Sequence, residues 1–313
     1  MRVFVTGASG WIGSAVVPEL IEAGHQVTGL ARSATSAEAL ASAGADVLRG
    51  TLDDLDILRT AAAASDGVIH LAFNHEVAFS REGGFEEAVA ADRRAIETFG
   101  EALAGSGRPL VLASGLLGIA PGRVATEQDG QAADPNATPT IGGLEIRQTN
   151  AHRTLALASS DVRSSVVRLA PTVHGDGDAG FVAALVGIAR AKGVAAYVGD
   201  GANRWPAVHQ IDAAHLFRLA VEQAPAGSTL HGAADEGVPI RDIAEVIGRR
   251  LNVPVASIDP ADAAEHFTWL SRMIVLDAPA SSRQTRELLG WQPTQPGLIE
   301  DLEKGHYFAT PSA

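Results

Sequence analysis

The sequence of 313 residues lacks cysteine altogether and has only two tyrosines, Tyr197 and Tyr307. The absence of cysteine excludes disulfides, thiol nucleophiles and cysteine-ligated metals. Apolar runs are short as well, and none approaches the ~18–20 residues that a membrane-spanning helix requires. The chain enters an apolar strand with no basic segment before it, so we expect no signal peptide and a cytoplasmic location.

Basic residues are also few, with 24 Lys and Arg against 37 Asp and Glu, and the formal net charge is −13. The net charge of such a surface repels nucleic acid and anionic membranes, so neither is expected as a partner. We expect a small-molecule ligand instead. The hydrophobic fraction of 46% and the charged fraction of 19% are typical of a globular protein. The ten histidines are scattered along the chain, and no metal site is predicted.

A glycine-rich segment stands at the start of the chain. Residues 6–13, TGASGWIG, follow the apolar run VFV and precede a helical stretch. A glycine turn between strand and helix is typical of dinucleotide binding, because it brings the N–H groups of a helix N-terminus to a pyrophosphate. Gly7 is expected at positive φ, Gly10 admits the pyrophosphate, and Gly13 allows close packing of the helix. The residues expected to contact the cofactor here are Gly7, Ser9, Gly10, Trp11, Ile12 and Gly13.

Apolar strands alternate with helical stretches through the first half of the chain. This alternation predicts an α/β protein with a doubly wound parallel sheet, the Rossmann fold. After Leu169 the strands become shorter and the loops richer in Pro and Gly, which indicates a smaller C-terminal α/β substrate lobe. We therefore expect a nucleotide-binding domain over residues 1–170 and a mainly substrate-binding lobe over 171–313, with a segment at about 205–224 returning to the first domain.

Four further motifs follow the glycine segment in order. They are HLAF at 70–73, ASG at 113–115, VRLAPTVHG at 167–175 and VHQIDAA at 208–214. Together with the glycine segment they resemble the extended short-chain dehydrogenase/reductase family, which includes sugar-nucleotide epimerases and dehydratases. The resemblance runs over nearly the whole chain and implies a nicotinamide cofactor.

The chain departs from that family at its catalytic pair. The family uses a Tyr as acid and a Lys four residues later, and these would fall at about Gly143 and Arg147. Glycine offers no side chain there. Arg147 can hold a ribose or phosphate as a cofactor-binding and catalytic-site residue, but it stays protonated and cannot exchange protons near neutral pH. The chain thus resembles the atypical branch of the family, which lacks the Tyr-x-x-x-Lys pair.

The end of the second strand indicates which nucleotide is bound. Rossmann proteins that use NAD usually place an acidic residue there to hold the ribose 2′-hydroxyl. Here the strand ends in Arg32 and Ser33, which suit a 2′-phosphate, so NADP is favoured and NAD stays possible. The alternative is that Arg32 is a solvated residue at the start of a loop. The resemblance also implies that Leu52 packs on the adenine and that Leu71, Ala72 and Phe73 line the nicotinamide-side ribose and diphosphate.

Four side chains are candidates for the chemistry and the substrate. Ser114 ends the fifth strand and matches the family's Ser, which hydrogen-bonds the substrate oxygen. His174 follows the sixth strand, where an imidazole could act as a general acid near pH 7. Arg204 and His209 are candidate substrate-binding residues, and we expect His209 to orient the substrate or order the cleft rather than donate a proton.

The leading hypothesis is an NADP-dependent oxidoreductase that transfers hydride between nicotinamide and a small carbonyl or alcohol without the usual Tyr acid. A non-catalytic NADP-binding sensor or regulator is the second, because the Tyr is missing. A sugar-nucleotide epimerase or dehydratase is the third, although those reactions also rely on that Tyr. Pairing of the long helices in many relatives suggests a homodimer.

Overall fold

The computed structural model describes residues 1–80, 83–130 and 144–309. Within these ranges the strands and helices alternate along the first half of the chain, as the apolar pattern predicts. The β-strands are β1 (Arg2–Thr6), β2 (Gln26–Ala31), β3 (Asp46–Arg49), β4 (Gly67–His70), β5 (Pro109–Gly115), β6 (Arg163–Leu169), β7 (Thr172–His174), β8 (Ala195–Val198), β9 (Arg204–His209), β10 (Ser228–Gly232), β11 (Asp235–Pro239) and β12 (Val255–Ile258).

Helices cover both faces of the large sheet and continue through the C-terminal half of the chain. The α-helices of the described ranges are α1 (Gly13–Glu22), α2 (Ala34–Ser42), α3 (Leu55–Ala64), α4 (His75–Ser80), α5 (Gly84–Leu103), α6 (Leu144–Ala156), α7 (Phe181–Lys192), α8 (Gln210–Gln223), α9 (Ile240–Leu251), α10 (Ala263–Phe267), α11 (Ser271–Ile274), α12 (Arg283–Leu289) and α13 (Leu298–Glu303). Short 3-10 helices lie at Leu157–Ser160, Pro260–Asp262, Thr268–Leu270 and His306–Phe308.

The large sheet has seven strands in the order β10-β6-β5-β4-β1-β2-β3, all of them parallel. Its central strand is β4, and β1 lies beside it. In β1, Val3, Phe4 and Val5 are at most 1% exposed because helices cover both faces of the sheet. The strand order reverses between β1 and β4. In such sheets, ligands bind in the crevice that opens at this point beyond the carboxyl ends of the strands. The predicted Rossmann fold is confirmed.

The remaining strands form two smaller sheets, β11-β9-β7 and β12-β8. Between them and the nearby helices lies a second apolar core that includes the fully buried Trp205 and Phe267. The strand β10 belongs to the large sheet, so the chain contributes to that sheet beyond residue 224. Across the described part of the chain, no helix combines the length and apolar character that crossing a membrane requires.

The end of β4 determines where the HLAF segment lies. The strand ends at His70, the first residue of that segment. Leu71 to Asn74 therefore form a connection, and the short helix α4 begins at His75. The position expected to match the family's Tyr, Gly143, lies outside the described residues, while Arg147 lies in α6.

Candidate active site

The glycine segment forms a tight turn. At two of its positions, Gly7 and Gly13, the backbone leaves no room for a side chain. Gly7 has φ +66°, and a Cβ atom there would lie 2.7 Å from the backbone nitrogen of Ala72. A Cβ atom at Gly13 would lie 2.2 Å from the carbonyl oxygen of Gly7 and 2.6 Å from the carbonyl carbon of Ala8. The turn is closed by the N–H of Gly10, which donates to Gly7 at 3.0 Å. Helix α1 thus begins directly against the turn, with its N-terminal N–H groups beside it.

One side of this turn is exposed to solvent, and the other is hydrogen-bonded to the C-terminal half of the chain. Ser9 and Gly10 are exposed, and Ile12 directly precedes α1, so a ligand can reach the backbone here. On the other side the indole N–H of Trp11 donates to the carbonyl oxygen of Val173 at 2.8 Å. The side-chain amide of Gln210 donates to the carbonyl oxygen of Trp11. The C-terminal half of the chain therefore fixes the glycine turn in place.

At the end of β2, Arg32 reaches into solvent. Its guanidinium lies 3.6 Å from the carboxylate of Glu76, and the two side chains are 66% and 79% exposed. A pair this exposed is weak and easily exchanged for another anion. The hydroxyl of Ser33 accepts from the backbone N–H of Ser36 at 3.1 Å and caps α2. Leu52 is half-buried beside the core next to β2.

A buried polar network supports the turn from below. The hydroxyl of Thr6 lies 2.6 Å from His70 Nδ1, and the other ring nitrogen of His70 lies 3.0 Å from a carboxylate oxygen of Asp92. The amide of Asn150 donates to the second oxygen of Asp92 at 2.7 Å. This network ties the ends of β1 and β4 to α5 and α6. No sequence motif links these positions, so the sequence alone does not reveal the network.

Side chains from α6 and from the segment after β4 meet near the carboxyl ends of the central strands. The guanidinium carbon of Arg147 lies 4.2 Å from the ring centroid of Phe73, a cation–π contact. The ring of His75 packs edge-on against Phe73 at 5.0 Å. Burial lowers the pKa of Arg147, and the negative charge of Asp92 partly offsets this decrease.

Ser114 lies at the same edge of the sheet. It is 5% exposed, and its hydroxyl has no hydrogen-bond partner among the residues that the structure describes. One residue further on, the carbonyl oxygen of Gly115 accepts from the side chain of Gln148 at 3.2 Å. Gln148 follows Arg147 in the sequence, so this bond joins α6 to the end of β5. A buried hydroxyl without a partner is costly unless a ligand satisfies it.

His174 and His209 form a second, separate cluster. Nδ1 of His174 lies 3.0 Å from the carboxylate of Asp301, and the ring of His174 has no exposed surface. His209 packs edge-on against it at 5.3 Å, and its Nδ1 accepts from the backbone N–H of Ile211 at the start of α8. Both histidines thus have structural contacts. Their proposed contacts with substrate stay predictions.

Arg204, the other predicted substrate-binding residue of β9, lies at the opposite end of that strand from His209. It stands at the start of β9, whereas His209 ends it. Its guanidinium forms two bonds to the carboxylate of Asp277, at 3.0 and 2.9 Å. These bonds raise the pKa of Arg204 and, in spite of burial, lower that of Asp277. The positive charge of Arg204 is therefore already balanced.

A twisted parallel sheet with a glycine turn at its switch point is the architecture of nucleotide-binding Rossmann proteins. Within that class, the model of the NAD dependent epimerase/dehydratase family matches residues 3–231. The chain belongs to this family, and the resemblance to extended short-chain dehydrogenases/reductases is confirmed.

Two fungal relatives are similar over almost their full length. An uncharacterized protein of Schizosaccharomyces pombe is 46% identical over 309 residues, which cover 98% of this chain and 100% of the relative. The second fungal relative, an uncharacterized protein of Saccharomyces cerevisiae, is 45% identical over 308 residues, which cover 98% of this chain and 99% of the relative.

A bacterial relative has a named activity. A 3-diazoavenalumate denitrifying reductase of a Streptomyces species is 29% identical over 325 residues, which cover 96% of this chain and 99% of that protein.

Solved structures of sugar-nucleotide enzymes share the fold. The UDP-glucuronic acid 4-epimerase of Bacillus cereus, in complex with UDP-glucuronic acid and NAD, has a TM-score of 0.75 at 18% identity and 98% coverage of both chains. The dTDP-glucose 4,6-dehydratase DesIV of Streptomyces venezuelae, with NAD bound, gives the same values. At this identity the likeness concerns the fold alone.

Proposed function

We propose that the protein is an NADP-dependent oxidoreductase that transfers hydride between the nicotinamide and a small carbonyl or alcohol substrate. The bound dinucleotide would supply the hydride donor or acceptor. The glycine turn, α1 and the connection after β4 would hold it, and Ser114 would hydrogen-bond the substrate oxygen. Family membership and the relatives named as reductases and dehydrogenases support an enzyme of this type.

The observation that carries the proposal is the combination of an intact glycine cradle with an unpartnered hydroxyl at the same edge of the sheet. Two of the three glycines have no room for a Cβ atom, which is expected where a backbone must accept a pyrophosphate closely. The hydroxyl of Ser114 is ready to donate to an oxygen that arrives with the substrate.

The choice of NADP depends on Arg32. No acidic residue ends β2, and the exposed guanidinium can pair with a 2′-phosphate in two parallel bonds. The weak contact with Glu76 offers little competition, since a dianionic phosphate carries more charge than a carboxylate. Ser33 can add a hydroxyl donor from the first turn of α2, whose N-terminus also favours an anion.

The alternatives differ in what they require of the same site. A sensor would bind the dinucleotide without oxidising or reducing it. A sugar-nucleotide epimerase is favoured by relatives such as the UDP-glucose 4-epimerase of Streptomyces lividans, 26% identical over 351 residues, which cover 97% of this chain and 96% of that protein. Neither tyrosine of this chain, however, occupies the position expected for the family's acid.

The test is a titration with NADPH and NADH, followed by tryptophan fluorescence because Trp11 lies in the glycine turn. We expect NADPH to bind more tightly than NADH, and Arg32→Gln to remove most of that preference. Arg93→Gln, at an exposed arginine on α5, is the control and should leave it unchanged. NADPH oxidation with 4-nitrobenzaldehyde and 9,10-phenanthrenequinone then separates an oxidoreductase from a sensor. Equal binding of both nucleotides would overturn the NADP assignment.

A further inference from the structure

Hydride transfer to a carbonyl requires a proton carrier, and the site described above lacks an obvious one. Arg147 stays protonated, and Ser114 is a weak acid whose proton would have to be replaced. Both tyrosines lie outside the site: Tyr197 is in β8, and Tyr307 follows α13. Among the residues that the structure describes, His75 is the titratable side chain that contacts this group. Sequence reasoning did not single it out.

Resting on the proposed function, we infer that His75 exchanges the proton with the substrate oxygen and so takes the role that Tyr has in the family. The juxtaposition that carries this inference is a row of three side chains. Arg147 of α6 lies over one part of Phe73 at 4.2 Å, and His75 packs edge-on against the same ring at 5.0 Å. Phe73 thereby fixes the directions of both polar groups.

The position of His75 in the fold is suited to this role. It begins α4, five residues after the end of β4, and its backbone N–H donates to the carbonyl oxygen of Phe73 at 3.0 Å. β4 and β5 are adjacent in the sheet, and Ser114 lies near the carboxyl end of β5. Ser114 and His75 thus stand beyond neighbouring strand ends, at the edge where substrates bind in this fold.

The charge state of His75 decides in which direction it acts. The ring keeps contact with solvent, yet the surrounding protein and then the positive charge of Arg147 lower the pKa of His75 to about 4. At neutral pH the imidazole is therefore uncharged and can accept a proton. Arg147 is the charged group that acts on His75 from α6. The adjacent carboxylate of Glu76 forms only a weak, exposed contact with Arg32.

The step balances in the direction of alcohol oxidation. The alcohol O–H bond breaks and its proton goes to the imidazole of His75. The carbon–hydrogen bond breaks with its electron pair, which passes as hydride to the oxidised nicotinamide, while the carbon–oxygen double bond forms. The alcohol is oxidised, NADP is reduced, and the imidazolium releases its proton to solvent. In the reverse reaction an imidazolium gives that proton to the substrate oxygen.

His174, the other candidate, is less suited to proton exchange. Its ring has no exposed surface and is held by Asp301, so a substrate in the cleft meets a closed core there. Direct proton transfer requires the two heavy atoms to be within about 3 Å of each other. The two histidines lie in different clusters, and variants at each distinguish them.

The experiment uses purified full-length protein with 4-nitrobenzaldehyde and NADPH, and with 4-nitrobenzyl alcohol and NADP. Four proteins are compared: wild type, His75→Gln, His174→Gln, and His266→Gln as a control histidine in the C-terminal half. We expect His75→Gln to lower kcat by about 100-fold or more in both directions, with NADPH affinity within about twofold of wild type. His266→Gln should retain kcat.

A second variant separates proton transfer from a merely structural role. In His75→Ala, added imidazole should restore turnover in proportion to its concentration, because the free base can occupy the space of the missing ring. His75→Gln or His75→Ala with wild-type kcat would overturn the inference while leaving the proposed function in place, and so would turnover that imidazole does not restore. A wild-type protein that binds NADPH but turns over neither probe would overturn both.

Discussion

Tyr307 donates its hydroxyl proton to the carboxylate of Asp178 at 2.8 Å, and the same oxygen accepts from the backbone N–H of Gly175 at 3.2 Å. Burial, reinforced by the charge of Asp178, raises the pKa of Tyr307 above its usual range. Tyr307, one of the two tyrosines in this chain, therefore has a structural role. It joins the C-terminal segment to the loop after β7, and Val173, which holds Trp11, lies in that strand.

The first prediction concerns the hydrogen bond from the Tyr307 hydroxyl to Asp178. Tyr307→Phe should lower the free energy of unfolding by about 1–3 kcal/mol, because it leaves the half-buried Asp178 without its hydroxyl donor. Tyr197→Phe, at the other tyrosine, is the matched control and should cost less. Chemical denaturation of both variants checks this. Equal losses in the two would mean that the Tyr307 hydroxyl contributes nothing specific.

The second prediction separates catalysis from stability at a serine. Ser114→Ala should lower kcat by about 100-fold, because it removes a donor to the substrate oxygen, yet change the free energy of unfolding by less than about 1 kcal/mol, since the hydroxyl has no partner in the described structure. Ser165→Ala in β6 is the control: its hydroxyl is equally buried and unpartnered. Comparable turnover of the two variants would remove Ser114 from the mechanism.

The fold could be predicted because its signals are local. The glycine spacing after an apolar strand indicates a turn that the structure shows at Gly7 and Gly13, and the strands β1 and β5 each contain a short apolar run. Such features require no knowledge of which distant residues meet.

The chemistry of the site could be predicted only in part, because its contacts join distant segments. The partner of His174, Asp301, is 127 residues away in the sequence, so no sequence pattern indicates this contact or the burial of the ring. His75 escaped notice because α4 has only six residues, too few for a helical pattern, and its neighbour Arg147 comes from another helix. Contacts between distant segments therefore decide the surroundings of each histidine.

The third prediction tests the close packing of the glycine turn. Gly13→Ala should weaken NADPH binding by about tenfold or more, equivalent to about 1.4 kcal/mol, because its Cβ would lie 2.2 Å from the backbone oxygen of Gly7 and force α1 away from the turn. Gly187→Ala in α7 has open space around the new methyl group and should instead stabilise the protein by up to about 1 kcal/mol. Fluorescence titration and thermal unfolding of both variants provide the comparison. Unchanged NADPH affinity in Gly13→Ala would show that the turn is not the phosphate site.

The last prediction concerns pH and His231, which lies in β10 away from the proposed site. The ring is fully buried, and Nδ1 donates to the carbonyl oxygen of Ser281 at 2.9 Å. Burial lowers the pKa of His231 to about 4, against the opposing charge of Glu127. The folded protein thus keeps the ring neutral, whereas the unfolded chain protonates it near its ordinary value of about 6.5.

Between these two pKa values the unfolded state binds more protons, so the contribution of His231 to stability is present above about pH 6.5 and is lost as the pH falls toward 4. One such group contributes a slope of at most about 1.4 kcal/mol per pH unit. His231→Gln should remove that part of the slope, which chemical denaturation at pH 7, 6 and 5 measures. If the variant loses stability on acidification as steeply as wild type, His231 is not the group that titrates, and the buried cluster around Glu127 has another source of pH dependence.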